Sequence, residues 1–348
     1  MSHLLESKGA DQVIYVLESP GIFDQISPNR LIQMTYDKQS ATEGVPLSSV
    51  RIIIPTLNAG LEWNKVLSAV LSNVPAENVL ILDSSSIDAT AEIARQMGCK
   101  ISVRPRSEFN HGATRQLGVV MSAQYEFVVF LTQDAVLQGH DDIQQLIASF
   151  KDSGVAAAYG RQLPALEAGA IEAHARIFNY PPESSVKTLA SKQELGFKSI
   201  FISNSFAAYR LSALNQVGGF PGDVLFGEDT VTAAKLLLAG WKIAYVAEAK
   251  VYHSHSYTWI QEFRRYFDIG VLHSRESWLR QEFGGTGGEG KRFVLSEMRF
   301  LWSRQWWLLP SALIRTGLKL AGYRLGSMER ILPKPLKRQW SMNKSYWK

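Results

Sequence analysis

The sequence predicts an α/β fold: a mostly parallel, Rossmann-like sheet flanked by helices, followed by a helical C-terminal extension. Three observations predict it. Apolar runs at residues 50–54, 78–83, 100–103 and 126–131 are short and bounded by polar residues, as strands buried on both faces are. Stretches with apolar residues at helical spacing separate most of them, the alternation of βαβ units. Three of the runs end at or near Pro55, Asp83 and Asp134, and ligands in open α/β sheets sit beyond the carboxyl ends of the strands.

At 348 residues, 46% apolar and 20% charged, the chain has the make-up of one large or two ordinary folded domains. A single cysteine, Cys99, excludes an internal disulfide framework and suits a reducing compartment. No basic stretch followed by an apolar run opens the chain, and no run of about 18 apolar residues occurs. The expectation is a protein with neither a secretory leader nor a membrane-crossing helix. Charge is uneven. From Lys291 onward there are 13 lysines and arginines against two glutamates, a local +11 that leaves −6 for the other 290 residues. Such asymmetry suits a basic tail that meets an anionic surface.

In order, residues 1–48 form an N-terminal extension. Within it Val13-Ile14-Tyr15-Val16-Leu17 predicts a strand, and the polar stretch 37–49 a linker. The strand at 50–54 runs into Pro55-Thr56-Leu57-Asn58, and Leu61, Val66, Leu67, Val70 and Leu71 recur at helical spacing. Asp83 ends the second strand. Ser84-Ser85-Ser86 follows, and a helix after Asp88 stops at Gly98. A third strand precedes a helix beginning at Asn110-His111-Gly112-Ala113-Thr114-Arg115, and the fourth breaks off into Thr132-Gln133-Asp134. Next come a helix over 141–151 and a strand over 155–159. Residues 161–199, with Pro164, Pro181 and Pro182, predict a long excursion with a helix over 165–178. A strand over 200–209 carries Ser203-Asn204-Ser205, Glu228-Asp229 opens a helix over 231–239, and a strand over 241–246 leads toward His253-Ser254-His255. One helix is expected over 259–283, then a glycine-rich hinge over 284–290. The predicted units are therefore an extension (1–48), an α/β domain (49–283) and a basic, tryptophan-rich helical segment (284–348).

A lone acid at a strand-to-helix transition commonly just caps the helix. Asp83, Asp134, Glu228 and Asp229 at corresponding ends of one sheet suit instead a divalent metal shared with substrate phosphates, with one carboxylate free as a general base. Positions i and i+2 of a strand share a face. His253 and His255 are therefore candidate ligands beside Asp134, a set suited to Mn or Mg with a diphosphate; the alternative is an ordinary surface pair. Arg115 either grips a diphosphate bidentately or is a plain surface arginine.

Taken together, these pieces resemble the inverting glycosyltransferases of family 2, with the GT-A fold. The resemblance covers about residues 50–275. It rests on Ile54-Pro55-Thr56-Leu57-Asn58, Asp83-Ser84-Ser85-Ser86-Ile87-Asp88, Phe109-Asn110-His111-Gly112-Ala113-Thr114-Arg115, Leu131-Thr132-Gln133-Asp134-Ala135, Phe226-Gly227-Glu228-Asp229 and His253-Ser254-His255-Ser256-Tyr257. The variants look most like the bacterial branch that builds cell-surface polysaccharide from dTDP-L-rhamnose. The resemblance implies a donor site of Pro55, Thr56, Asn58, Asp83, Ser84, Asp88, Arg115, Gln133 and Asp134. It implies Asp229 as catalytic base, Asn204, Ser205 and Glu228 on the acceptor side, and a divalent cation (Mg or Mn) on Asp134, His253 and His255. Thr132 departs from the pattern, standing where the first acid of a D-x-D motif is usual.

The C-terminal segment interleaves Trp302, Trp306 and Trp307 with Arg304, Arg315, Lys319 and Arg324. Basic amphipathic helices of this kind lie in the membrane interface, so an anionic membrane surface and a lipid-linked or oligosaccharide acceptor are the expected partners. The protein is then cytoplasmic and peripheral to the inner face of the membrane. The alternative is that these helices pack on the α/β domain or on another subunit, which leaves oligomerisation open. Nucleic acid is not expected, because the tryptophans follow no RNA-binding pattern. Two other functions compete: a nucleotidyltransferase, which would want a glycine-rich phosphate loop where Pro55-Thr56-Leu57-Asn58 stands, and a non-catalytic sugar-nucleotide-binding scaffold.

Overall fold

The computed structural model describes residues 44–285 and 287–347, which fall in one compact unit, Glu43–Lys348. The strand expected at 13–17 and residues 37–43 of the expected linker lie outside the described residues, and the rest of the linker ends in a single 3-10 turn, Leu47–Ser49.

Four strands form the predicted parallel half of the sheet: β1 (Val50–Thr56), β2 (Val79–Asp83), β3 (Lys100–Val103) and β4 (Phe127–Leu131). Helices α1 (Trp63–Leu71), α2 (Thr90–Gln96) and α3 (His111–Val120) connect them. Strand neighbours run β3-β2-β1-β4, so the carboxyl ends of β1, β2 and β4 meet at one edge. Alternate residues face opposite sides, and both sides are apolar. Ile53, Leu82, Val128 and Phe130 join one core; Ile52, Ile54, Ile81 and Val129 join the other. Burial on both faces explains why these strands look like unbroken apolar runs.

Beyond β4 the sheet is mixed. A short β5 (Val136–Leu137) and helix α4 (Asp142–Ala148) precede β6 (Val155–Leu163), α5 (Ala170–Asn179), β7 (Ser185–Lys187), α6 (Lys192–Leu195) and β8 (Phe206–Arg210). Helices α7 (Leu211–Gln216) and α8 (Glu228–Leu238) lead to β9 (Lys242–Tyr252). Strand β8 is antiparallel to both β4 and β6, while β9 is parallel to β6. The excursion expected at 161–199 therefore contains the end of β6, a ten-residue helix and a short strand that pairs with β9. Residues 200–205 are not part of the expected strand, since β8 begins only at Phe206. A register shift separates Gly160 and Arg161 of β6, opposite Val246 and Lys250. A side chain at Gly160 would strike the Phe206 ring and the Ala249 carbonyl at 2.3 and 2.6 Å, so only glycine fits this irregularity.

The helix expected over 259–283 breaks at Glu276 into α9 (Trp259–Arg275) and α10 (Ser277–Phe283). Helix α11 (Gly287–Arg304) begins inside the glycine run expected as a hinge, and α12 (Leu309–Ser327) and α13 (Lys334–Trp340) follow. The C-terminal segment is bound to the body of the protein. Side chains built at Gly322 and Gly326 of α12 would meet the carbonyls of Phe263 and Phe267 at 2.3 and 2.0 Å, and one at Gly270 of α9 would meet the Tyr323 carbonyl at 2.3 Å. Glycines let the two backbones touch. Arg315 pairs with Glu262 and Arg275 with Glu329, both at 2.9 Å, and Trp347 packs with Leu225, Phe267 and Val271.

Candidate active site

At the β1–β2 end the acids are occupied in shaping loops. Asp83 is buried and accepts hydrogen bonds from Thr56 Oγ1 (3.0 Å), Ser86 N (2.8 Å) and Ser86 Oγ (2.6 Å). Asn58, in the left-handed region at φ 47°, donates from its N to Ser86 Oγ and accepts from Ile87 N. Asp88 accepts from Gly60 N and Thr90 N, at 3.2 and 3.1 Å. Gln133 acts as a substitute strand residue: its Oε1 accepts from Leu57 N at 2.7 Å and its Nε2 donates to Leu57 O at 3.2 Å. Pro55 lies in β1 opposite Leu82, and Ser84 N donates to Thr56 O. These bonds form a hydrogen-bonded rim, and Asp83 and Ser84 of it also line a cavity of about 270 Å³ together with Arg104, Phe109 and Thr114, among others. Thr114 belongs to the Asn110–Arg115 motif but has no role of its own in the sequence, and Arg104 has no signal at all, because an arginine after an edge strand carries no pattern.

Asp134 does not cap the following helix. Its turn leads into β5, and α4 begins only at Asp142. Two histidines face it: His253 Nε2 lies 3.4 Å from Asp134 Oδ1 and His255 Nδ1 lies 3.6 Å from Oδ2. Both stand in the loop after β9, not in a strand as expected, yet they reach the same carboxylate. All three ligand atoms lie within 4.8 Å of one another.

The arrangement around His253 fits a cation. Gln162 Nε2 donates to Ser203 Oγ at 3.0 Å, which turns Gln162 Oε1 toward His253 Nδ1 at 2.9 Å. That contact places the proton on Nδ1 and leaves Nε2 as a lone pair. Nε2 is buried without a hydrogen-bond partner and points at an acceptor oxygen, a juxtaposition a bound metal would relieve. Thr132 offers a hydroxyl that is buried without a hydrogen-bond partner, where a second acid was looked for.

The third group forms at the start of α8, which follows a loop and not a strand. Gly227, at φ 78°, is its N-cap. Here three expectations are corrected. Arg115 is not free for a diphosphate: it is buried and pairs with Glu228 Oε1 at 2.8 Å. Glu228 is not open to an acceptor, being buried between Arg115 and Asn204 Nδ2 (3.2 Å). Asn204 is buried too, accepting from Tyr209 OH at 2.8 Å and donating its N to Asp229 Oδ2 at 3.3 Å. Ser205 is half-buried, with its carbonyl accepting from Thr132 N. The motif at the start of α3 braces this corner. Asn110 caps α3 by accepting from Ala113 N and donates to Val224 O. A side chain at Gly112 would collide with the Pro221 carbonyl at 1.7 Å, and Gln116 Oε1 accepts from Phe220 N.

Asp229 is the acid left available. It is half-buried, and burial together with the neighbouring Glu228 carboxylate pushes its pKa up to about 6. A carboxylate poised this way is suited to take a proton near neutral pH.

Residues 51–218 match the model of Glycosyl transferase family 2. The chain is 45% identical over 304 residues to the O-antigen chain rhamnosyltransferase WbaN of Salmonella anatum, covering 86% of this chain and 96% of that one. This chain belongs to glycosyltransferase family 2. It is also 44% identical over 300 residues to the O-antigen chain rhamnosyltransferase RfbN of Salmonella typhimurium, with the same coverage of both chains. Among solved structures it overlaps the mannosyltransferase PcManGT from Pyrobaculum calidifontis in complex with GDP-Man and Mn2+, at 18% identity and a TM-score of 0.49, over 86% of this chain and 84% of that one.

The transferase thus offers three groups: the cavity beside Asp83, the Asp134–His253–His255 cluster, and Asp229 on its brace of Arg115, Glu228 and Asn204. No helix among the described residues is long and apolar enough to cross a membrane.

Proposed function

We propose that this protein is an inverting rhamnosyltransferase that moves L-rhamnose from dTDP-L-rhamnose to a hydroxyl of a lipid-linked or oligosaccharide acceptor in cell-surface polysaccharide synthesis. The observation that carries the sugar assignment is the 45% identity to an O-antigen chain rhamnosyltransferase over 96% of that protein. The chemistry follows from the site. Asp229, ionised above about pH 6, takes the proton of the acceptor hydroxyl as that oxygen attacks the anomeric carbon and the nucleotide leaves from the opposite face. One displacement inverts the configuration, so the enzyme needs no nucleophilic side chain. The rim from Pro55 through Asn58, with Asp83, Ser84 and Asp88, seats the nucleoside. Gln133 holds that rim in place. Asp134, His253 and His255 would hold a divalent ion, Mg or Mn, which when bound offsets the charge that grows on the departing diphosphate.

We further place the protein against the inner face of the cytoplasmic membrane. Support comes from Trp302, Trp306 and Trp307, which are 73, 65 and 59% exposed around the turn between α11 and α12, within a segment of net positive charge. Tryptophan and arginine together favour the headgroup region of anionic bilayers.

A donor screen tests the proposal. The purified protein is offered dTDP-L-rhamnose and a panel of other sugar nucleotides with its acceptor, and nucleotide release is followed with Mg, with Mn and with chelator. Preference for dTDP-L-rhamnose is expected. Preference for another donor would overturn the sugar assignment and leave the glycosyl transfer standing.

A further inference from the structure

With Arg115 committed to Glu228, the diphosphate lacks the cation first expected for it. Two other arginines stand beside the Asp134 cluster. Arg176, on α5, donates from Nε to the backbone carbonyl of His253 at 2.7 Å. Arg265, on α9, donates to the Tyr257 hydroxyl at 3.3 Å and lies over the rings of Phe226 and Tyr257, 5.3 and 5.5 Å from their centroids. The Tyr257 ring in turn lies 5.2 Å from the His255 ring. One guanidinium is therefore anchored to each histidine's part of the loop.

Neither arginine has a carboxylate within ion-pair distance among the described residues, whereas Arg115, Arg275 and Arg315 each have one. The other N–H groups of both forks meet no protein acceptor among those residues. Both side chains are half-buried, and charge removed from water without a counter-ion is costly. A pair of half-buried guanidinium forks without acids is a site for a multivalent oxyanion, and the fork geometry matches phosphate oxygens two at a time.

We propose that Arg176 and Arg265 form a diphosphate-binding pair flanking Asp134, His253 and His255, and take the role that Arg115 cannot fill. This rests on the glycosyltransferase reading, and the diphosphate has two sources: the donor nucleotide or a polyprenyl diphosphate on the acceptor. The committed residues Arg115 and Glu228 take no part in it.

Binding by the full chain is measured calorimetrically, with Mn present, for dTDP, dTMP, inorganic pyrophosphate and farnesyl diphosphate. Arg176→Gln and Arg265→Gln are each expected to weaken pyrophosphate about tenfold, the size of one charge-assisted hydrogen bond, and to leave dTMP within about twofold. Arg265→Lys, which keeps charge but loses the fork, is expected to fall between. Loss of dTDP with farnesyl diphosphate retained assigns the pair to the donor; the reverse assigns it to the acceptor. Unchanged pyrophosphate, dTDP and farnesyl diphosphate binding in both glutamine variants, or equal loss of dTMP, overturns the proposal. Pyrophosphate carries no base or sugar, so its result stands even if the donor screen rejects rhamnose.

Discussion

At the start of α8 two neighbouring acids titrate in opposite directions. Burial resists the charge on Glu228, but Arg115 and then His111 overcome it and keep the carboxylate ionised. That fixed negative charge, added to burial, raises Asp229 to about 6. A raised carboxyl favours the protonated folded state. Stability from this group is therefore full below its ordinary value of 3.8 and is lost as pH climbs through about 6. Activity runs the other way, because the base must be ionised: kcat is expected to fall as pH drops below about 6. Asp229→Asn should lower kcat by about 10²- to 10⁴-fold with donor affinity unchanged, and full activity in that variant would remove Asp229 from the mechanism. Arg115→Ala tests the brace. It strands Glu228 as a buried, unpaired charge and should cost about 3–5 kcal/mol in a denaturant melt, whereas a phosphate-binding arginine would show mainly in donor affinity. At the metal cluster, Gln162→Leu frees the His253 ring from its tautomer. It should weaken Mn binding, followed by the electron paramagnetic resonance of the free ion, by about 10- to 100-fold.

The elements that matter most are the ones that meet without side chains between them. Helices α9 and α12 touch through Gly270, Gly322 and Gly326, and α9 carries Arg265 toward the active site. Gly326→Val would drive the helices apart and is expected to cost about 3 kcal/mol or more, seen as a lowered Tm. Gly317, on the same helix, has nothing within 4 Å of a built side chain. Gly317→Ala should leave the protein unchanged or raise its stability by up to about 1 kcal/mol. Equal loss in both would mean that helix propensity, and not backbone contact, sets the cost. The Gly160 irregularity works at the same scale. It interrupts the β6–β9 register just before Gln162, the residue that orients His253.

For the whole molecule, the helices after residue 284 have two faces. One packs on the body through glycines and ion pairs; the other exposes the tryptophan corner at the α11–α12 turn. Packing on the body is thus realised on one face, and the exposed corner is the face proposed to meet the membrane. Trp306→Ser with Trp307→Ser should weaken sedimentation with anionic phospholipid vesicles about tenfold or more without lowering Tm, and high salt should weaken the wild type. Unaltered vesicle binding in the double variant would remove the corner from the membrane contact.

The sequence by itself determined the parallel half of the sheet, the edge where chemistry gathers, and the family. Those features are written in local patterns: apolar runs buried on both faces, and short motifs at strand ends. Asp134, His253, His255 and Asp229 were all legible in this way. The tertiary structure alone decided which polar residues remain free. Arg115 is used up on Glu228 across 113 positions and Asn204 on Glu228 across 24, and Gln133 is used up on Leu57 across 76. Pairings at such separations depend on how the chain closes, and no spacing in the sequence encodes them. The same closure left Arg176 and Arg265 beside the Asp134 cluster without a carboxylate partner among the described residues, and packed α12 against α9 through Gly270, Gly322 and Gly326.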